Sequence, residues 1–331
     1  MRSYGLGWHK VAVTFVASLV PGPATARLIA ATRGGVLAIR ARLARVGRKV
    51  KGEDHMIFAR FGERGQEKPG VLDDQGRLRD LSGVVPDLAG AVLADLPRID
   101  PESLPLVAGT PRIGPPVGQV GKLICIGLNY TDHAEEVGVA APPEPVVFLK
   151  ATSAICGPQD PVYLPRGAEK GDWEVELGVV IGRRAKYVTE AEALDHVAGY
   201  TIVNDVSERA FQMERAGQWT KGKSCDTFAP MGPWLVTADA VGDVQALDLS
   251  LDLNGARMQT GTTARMIFSV AHIVAYLSAL MTLEPGDVIA TGTPPGVGMG
   301  RKPPRYLTEG DEMVVRISGL GEQRSPVRRD P

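Results

Sequence analysis

Asp172-Trp173-Glu174-Val175-Glu176-Leu177-Gly178-Val179-Val180 is the stretch on which the reading of this chain turns. As a strand it alternates, with Trp173, Val175, Leu177 and Val179 on one face and Glu174 and Glu176 on the other. Two residues of strand separate the carboxylates by roughly 7 Å along the backbone. Like charges that close, among core residues, are costly unless a positive group lies between them. A second apolar run, Tyr200 to Val203, ends at Asn204-Asp205. Glu174, Glu176 and Asp205, from two strand ends, offer an all-oxygen seat to a hard divalent cation such as Mg²⁺ or Mn²⁺. By itself Glu-x-Glu on a strand is more often the solvated face of an edge strand. The rest of the chain decides between the two.

Upstream, Lys122 to Gly127 reads as a buried strand running into Leu128-Asn129-Tyr130-Thr131-Asp132-His133-Ala134-Glu135-Glu136. The pattern predicts a helix with Asp132 as N-cap and Glu135 closing a capping box. His133 and Glu136 then lie three apart on one helical face. A carboxylate beside an imidazole raises its basicity and fixes its orientation, as a general base acting on water requires. The plainer alternative is a helix-end histidine beside a surface glutamate. Downstream, Ser207 to Ala216 reads as a helix carrying Arg209 and Gln212. Thr220 to Phe228 reads as a loop whose Lys221 and Lys223 either reach an anionic ligand or face solvent. Gly286 to Gly298 is a strand entering a Gly/Pro-rich loop. It lacks the lysine pattern of a phosphate loop, which excludes that reading.

The remaining elements frame these motifs. Ile57 to Phe61 is a strand, and Gly70 to Leu72 with Arg77 to Leu81 forms a hairpin through Asp73-Asp74-Gln75-Gly76. Further strands are expected at Pro145 to Lys150, Pro161 to Leu164 and Leu247 to Leu253, the last turning at Asn254-Gly255. Thr189 to Val197 is a helix capped by Thr189 with Glu192. Phe268 to Leu280 is a helix with a core stripe of Val270, Ile273, Val274, Leu277 and Leu280. Glu312 to Ile317 is read as the last strand.

The 331 residues, 44% apolar and 23% charged, have the balance of a soluble globular protein. Cys125, Cys156 and Cys225 are far apart and odd in number, so they spell neither a zinc pair nor a disulfide framework. Reduced thiols and a cytoplasmic location follow. Residues 1–52 hold ten Lys/Arg and no Asp/Glu, so the remainder carries 37 − 10 = 27 basic against 38 acidic residues, a charge of −11. That argues against nucleic acid as a partner. Val11 to Val20 is too short to span a bilayer, and no membrane partner is expected. Residues 1–55 read as an extension outside the fold, created by a start codon placed too far upstream. A secretory signal ending near Ala24-Thr25-Ala26 and a basic interaction tail are the alternatives. Residues 56–116 read as a small β-rich domain with a proline-rich linker, and 117–331 as the main domain.

Over roughly residues 56–331 the chain resembles the fumarylacetoacetate hydrolase family. The motifs that carry the resemblance are Gly127-Leu128-Asn129-Tyr130 with His133, Asp172-Trp173-Glu174-Val175-Glu176-Leu177, Asn204-Asp205, Gly222-Lys223-Ser224 and Thr291-Gly292-Thr293-Pro294-Pro295-Gly296-Val297-Gly298, in the family's order. The resemblance implies an α+β fold: a mixed β roll of several sheet layers with peripheral helices, preceded by a small N-terminal β-rich domain. It implies a homodimer and a Mg²⁺ or Mn²⁺ ion on Glu174, Glu176 and Asp205. It further implies His133 and Glu136 as the acid/base pair, Lys223 as the lysine that polarises substrate, and Arg209, Gln212 and Thr293 as substrate contacts. The implied reaction is hydrolysis of a C–C bond in acylpyruvate-type 2,4-dioxo acids, such as 2,4-diketo-3-deoxy sugar acids, with release of pyruvate. Ureidoglycolate lyase, 2-hydroxyhepta-2,4-diene-1,7-dioate isomerase and oxo acid decarboxylase activities share the scaffold. A non-catalytic 2-oxo acid binding protein is the alternative of another class.

Overall fold

A computed structural model of the chain describes residues 55–330; apart from His55, the predicted extension 1–55 lies outside the described residues. The chain enters on β1 (Ile57–Phe61), β2 (Lys68–Leu72) and β3 (Leu78–Asp80), then β4 (Leu123–Gly127) and β5 (Val146–Lys150). Short pieces β6 (Ile155–Cys156), β7 (Val162–Leu164) and β8 (Gly171–Asp172) precede the long pair β9 (Val175–Ile181) and β10 (Val197–Asn204). After β11 (Ser207–Glu208), β12 (Ala229–Pro230) and β13 (Leu235–Thr237) come the hairpin β14 (Asp248–Leu253) and β15 (Ala256–Thr262), then β16 (Val288–Ala290), β17 (Glu312–Ile317) and β18 (Gly321–Arg329).

Nine strands form one sheet in the order β3-β2-β1-β13-β10-β9-β16-β4-β5, and five form another in the order β15-β14-β17-β18-β7. The second sheet packs on β9 and β10, so every residue of β9 is buried. The edge-strand reading of Glu174 and Glu176 is thereby excluded: β10 pairs along one side of β9 and β16 along the other. β1 pairs with β13 through Ile57↔Val236 and Phe58↔Leu235. The strands of the 56–116 segment therefore extend the body's own sheet.

Local rules explain most elements. Asn254 (φ 52°) and Gly255 (φ 80°) both take the left-handed conformation that a two-residue hairpin turn requires. The helix Val270–Leu280 starts where Ser269 accepts from the His272 N–H at 3.1 Å. Its Val270, Ile273, Val274 and Leu277 are buried, which is worth roughly 2 kcal/mol per side chain as an upper bound. The capping box of Thr189 and Glu192 is present.

Several expectations need correction. Trp173 and Glu174 sit in a break between β8 and β9 rather than in one continuous strand. The Asp172 carboxylate accepts from the Trp173 N–H and the Asn204 side-chain oxygen from the Glu174 N–H, so side chains replace the ladder there. Asp132 is no cap. A bridge from Tyr130 to Met266 holds the preceding residue extended, the helix begins at Thr131, and Asp132 accepts from the His133 N–H beside it and faces Arg265 at 3.9 Å. The helix after Asp205 is confined to Arg209–Met213. Lys221 and Lys223 lie on a one-turn helix, Thr220–Lys223, not in a loop. Leu280 is exposed at its helix end. Ile317 does not end the sheet, because β18 follows.

That one-turn helix depends on Gly222. A Cβ at this position would stand 2.4 Å from the Glu208 carbonyl and 2.5 Å from the Gln212 N–H. The close approach seats the helix against Arg209–Met213 and aims Lys223 inward. Gly222→Ala is expected to cost about 1–3 kcal/mol of stability in urea unfolding and to lower activity with it. A variant as stable as the wild type would show that the two helices can part freely.

Candidate active site

Glu174 from the break before β9, Glu176 on β9 and Asp205 just past β10 converge. One carboxylate oxygen from each lies within 4.8 Å of the others, and all three residues are buried. The antiparallel pairing Val203↔Glu176 and Asn204↔Val175 brings them together, and Asp205 N–H donates to the Glu174 carbonyl at 2.9 Å. Among the described residues this is the one such group of ligating side chains.

Three buried cations surround the acids. Lys223 Nζ bridges Glu174 Oε2 at 2.6 Å and Asp205 Oδ2 at 2.7 Å. Lys150 Nζ donates to Asp205 Oδ1 at 2.5 Å and to the Val206 carbonyl. Arg209 reaches Glu174 Oε1 at 2.6 Å and Asp172 Oδ2 at 2.8 Å. Among the described residues no cation pairs with Glu176; its Oε2 accepts from the Gly292 N–H at 2.8 Å. Burial alone would raise the Glu174 carboxyl, but Lys223 and Arg209 outweigh it and hold it at about 2. For Glu176 burial wins: it pushes the carboxyl well above its ordinary value, and Asp205 and Glu174 push further. Four carboxylates, Asp172 included, thus face three cations, a buried surplus of one negative charge when all are ionised.

The helix Thr131–Val137 carries the second part of the site. His133 Nδ1 meets Glu136 Oε2 at 3.0 Å, so an ionised Glu136 keeps the proton on Nδ1 and leaves Nε2 as the basic nitrogen. Glu136 Oε1 accepts from the Gly296 N–H at 2.9 Å, fastening the helix to the Gly/Pro-rich loop. Asp172 anchors the same loop: its oxygens accept from the Gly298 N–H at 2.6 Å and the Met299 N–H at 3.0 Å while also holding Arg209. Leu128 (φ 52°) makes the turn from β4 into this helix and lines the pocket; such backbone is tolerated where the surroundings over-determine it. Here Asn129 does so, bonding both Phe268 main-chain groups and the Thr291 carbonyl.

These groups open on a pocket of about 210 Å³, lined by His133, Glu174, Glu176, Arg209, Gln212, Lys223 and Thr293 together with apolar side chains. Eight of the nine site residues expected from the sequence therefore meet directly at one pocket or metal group, and Glu136 stands behind His133. Thr293 is committed to the protein: its hydroxyl donates to the Val175 carbonyl and accepts from Gln259. Gln212 accepts from Arg209. A larger hollow of about 330 Å³, between Leu93 and Asp239, brings together no comparable group. Lys150 and Asp172 escaped the sequence reading. The signal for Lys150 was alternation along β5, which puts it on the face of Phe148, a pocket residue. Lys150→Met leaves Asp205 with Lys223 alone and is expected to cost about 3–5 kcal/mol in urea unfolding. A loss under about 1 kcal/mol would remove Lys150 from the charge balance.

The Fumarylacetoacetate (FAA) hydrolase C-terminal family matches residues 122–328, which contain all of these side chains. This chain belongs to the fumarylacetoacetate hydrolase family. It is 62% identical over 279 residues to a protein of Burkholderia orbicola whose name assigns it only to the hydrolases, covering 82% of this chain and 99% of that one. Among solved structures it is similar to a fumarylacetoacetate hydrolase from psychrophilic Exiguobacterium antarcticum (TM-score 0.75, 36% identity, 83% of this chain and 100% of that chain). It is also similar to a 2-hydroxyhepta-2,4-diene-1,7-dioate isomerase from Mycobacterium marinum (TM-score 0.66, 36% identity, 83% and 99%). The mixed-sheet architecture is that of these neighbours. The donor set fits a divalent ion: it is all oxygen, and Glu176 supplies a buried carboxylate that no side-chain cation among the described residues pairs with. No helix among the described residues is long and apolar enough to cross a membrane.

Proposed function

We propose that this family member is a Mg²⁺- or Mn²⁺-dependent hydrolase that cleaves the C–C bond of acylpyruvate-type 2,4-dioxo acids. The observation that carries the reading is the His133–Glu136 pair, with His133 in the same pocket as Glu174 and Glu176, whose carboxylates converge with that of Asp205. Glu174, Glu176 and Asp205 would hold the ion, which when bound supplies positive charge for the 2-oxo acid end of the substrate. His133 Nε2 takes a proton from water, and Glu136 steadies the imidazolium. The oxygen of that water bonds to the distal carbonyl carbon. The bond from that carbon to the adjacent CH₂ then breaks, its electron pair staying with the pyruvate fragment. His133 returns the proton to that CH₂, giving a carboxylic acid and pyruvate. Lys223 and Arg209 fix Glu174, and Lys223 and Lys150 fix Asp205, so these ligands stay in place as charge develops.

Isomerisation is the second reading, favoured by the isomerase among the solved neighbours. Product analysis separates the two. Mg²⁺-dependent release of pyruvate, abolished by chelator, is the expected result with an acylpyruvate; a product of unchanged mass would favour the isomerase. The proposal includes a homodimer, which sedimentation equilibrium tests. Its cytoplasmic setting is supported by three free thiols, two of them buried.

A further inference from the structure

The far end of the pocket has a composition that the proposed reaction does not require. Its polar lining residues are gathered at the acid cluster and the His133 helix. The remaining walls are Leu128, Val139, Phe148, Met213, Trp219 and Met299, with Ile126 beneath. Of the nine exposed large apolar side chains among the described residues, three stand at this one mouth: Val139, Met213 and Met299. They come from three separate segments, past the His133 helix, at the end of Arg209–Met213 and in the loop after β16. Exposed apolar groups scattered singly need no explanation, but convergence on one opening does.

The aromatic wall is built in. Phe148 and Trp219 meet edge to face at 5.4 Å and 67°. Gly127 makes room for the indole: a Cβ there would stand 2.6 Å from the Trp219 ring. The charges nearby are already used. Lys223 and Arg209 are the cations lining the pocket, and both are bonded to carboxylates at its floor. Arg215 lies over the Phe211 ring and is not among the lining residues. A distal carboxylate would find no cation on these walls, and apart from the Trp219 indole N–H their side chains offer the hydroxyls of a sugar acid no hydrogen-bonding group in exchange for water.

We infer that the substrate is a 2,4-dioxo acid whose acyl group is uncharged and apolar, an alkyl or aryl tail lying between Trp219, Phe148 and the Met213/Met299 rim. This rests on the proposed reading of the site and names its substrate class. The tail would also cover the exposed rim, excluding bulk water from His133. A 2,4-diketo-3-deoxy sugar acid or a dicarboxylate would be disfavoured.

The test uses the full chain with Mg²⁺ and measures kcat/KM for pyruvate release from straight-chain acylpyruvates, acetyl to octanoyl. A 2,4-diketo-3-deoxy sugar acid and a 2,4-dioxo dicarboxylate complete the panel. The expected rise is about fourfold per methylene until the pocket is filled, so that the best chain exceeds acetylpyruvate by about 50-fold. Met213→Arg should cut the long-chain value at least tenfold, the discrimination a pocket contact of this kind carries, and narrow the gap to the dicarboxylate. A flat chain-length series, or fastest turnover of the sugar acid or dicarboxylate, overturns the assignment. If no compound releases pyruvate, calorimetry with N-alkyloxamates and Mg²⁺ separates the two ideas. A Kd that falls about fourfold per methylene keeps the apolar-tail assignment while the hydrolase reading fails; a flat Kd ends the assignment itself.

Discussion

Replacing His133 with alanine is expected to lower kcat for pyruvate release about 10³-fold, within the range that a positioned base contributes, while KM and divalent-ion binding stay near wild type. The imidazole touches none of the three acids; its bonded partner is Glu136, across 3.0 Å. Glu136→Gln sharpens the prediction. The amide oxygen can still accept from the Gly296 N–H, keeping the helix fastened. The amide nitrogen, however, would face His133 Nδ1 as a donor, moving the imidazole proton to Nε2 and taking away the base. A loss of about 10²-fold is expected, with thermal stability little changed. Single-turnover kinetics check both variants. A His133→Ala enzyme within fivefold of wild type would move the chemistry away from this helix.

Glu176→Gln carries the other large effect. The amide keeps the size of the side chain and can accept from the Gly292 N–H, but it removes the carboxylate that has no side-chain cation of its own. Divalent-ion affinity should fall at least about 100-fold, more than the loss from changing an outer partner, and activity should vanish with it. The metal-free protein should respond in the opposite sense. The Glu176 carboxyl is raised above its ordinary 4.5 by burial, Asp205 and Glu174. Its contribution to stability is therefore complete below pH 4.5 and is lost as pH climbs through the raised value. Glu174, held at about 2, works the other way: its contribution is present above pH 4.5 and lost as pH falls toward 2. Thermal melts in chelator should thus show wild type losing stability from mildly acidic to alkaline pH, with a flatter profile in Glu176→Gln. Added Mg²⁺ should restore the wild type most at high pH and the variant hardly at all. Parallel profiles for the two proteins would contradict the charge assignment.

The parts of the site legible in the sequence were those fixed by local spacing. Glu174 and Glu176 stood out because acids interrupt an apolar strand, and His133 and Glu136 because three residues of helix align them. What stayed hidden depends on pairing across long distances. Only the pairing of β16 on the far side of β9 rules out a solvated edge. Lys150, the last residue of β5, becomes a partner of Asp205, just past β10 in the same nine-stranded sheet, 55 residues apart. Asp172 looked like one more acid in the motif, yet its four accepted bonds tie the loop at Gly298 and Met299 to Arg209. The helix start at Thr131 was misplaced because the Tyr130–Met266 bridge is tertiary. β18 was missed because its sequence, Gly-Glu-Gln-Arg-Ser-Pro-Val-Arg-Arg, is polar and broken by Pro326, which pairs at the end of the ladder with Glu312.

Counting bound Mn²⁺ by electron paramagnetic resonance, on chelator-stripped wild type and Glu176→Gln side by side, tests the shared ion of Glu174, Glu176 and Asp205 most directly. The predicted result is one tightly held ion per wild-type chain, displaced by excess Mg²⁺, and none held by the variant at the same concentration. A wild type that holds no ion, or a variant that holds it equally well, would contradict the account.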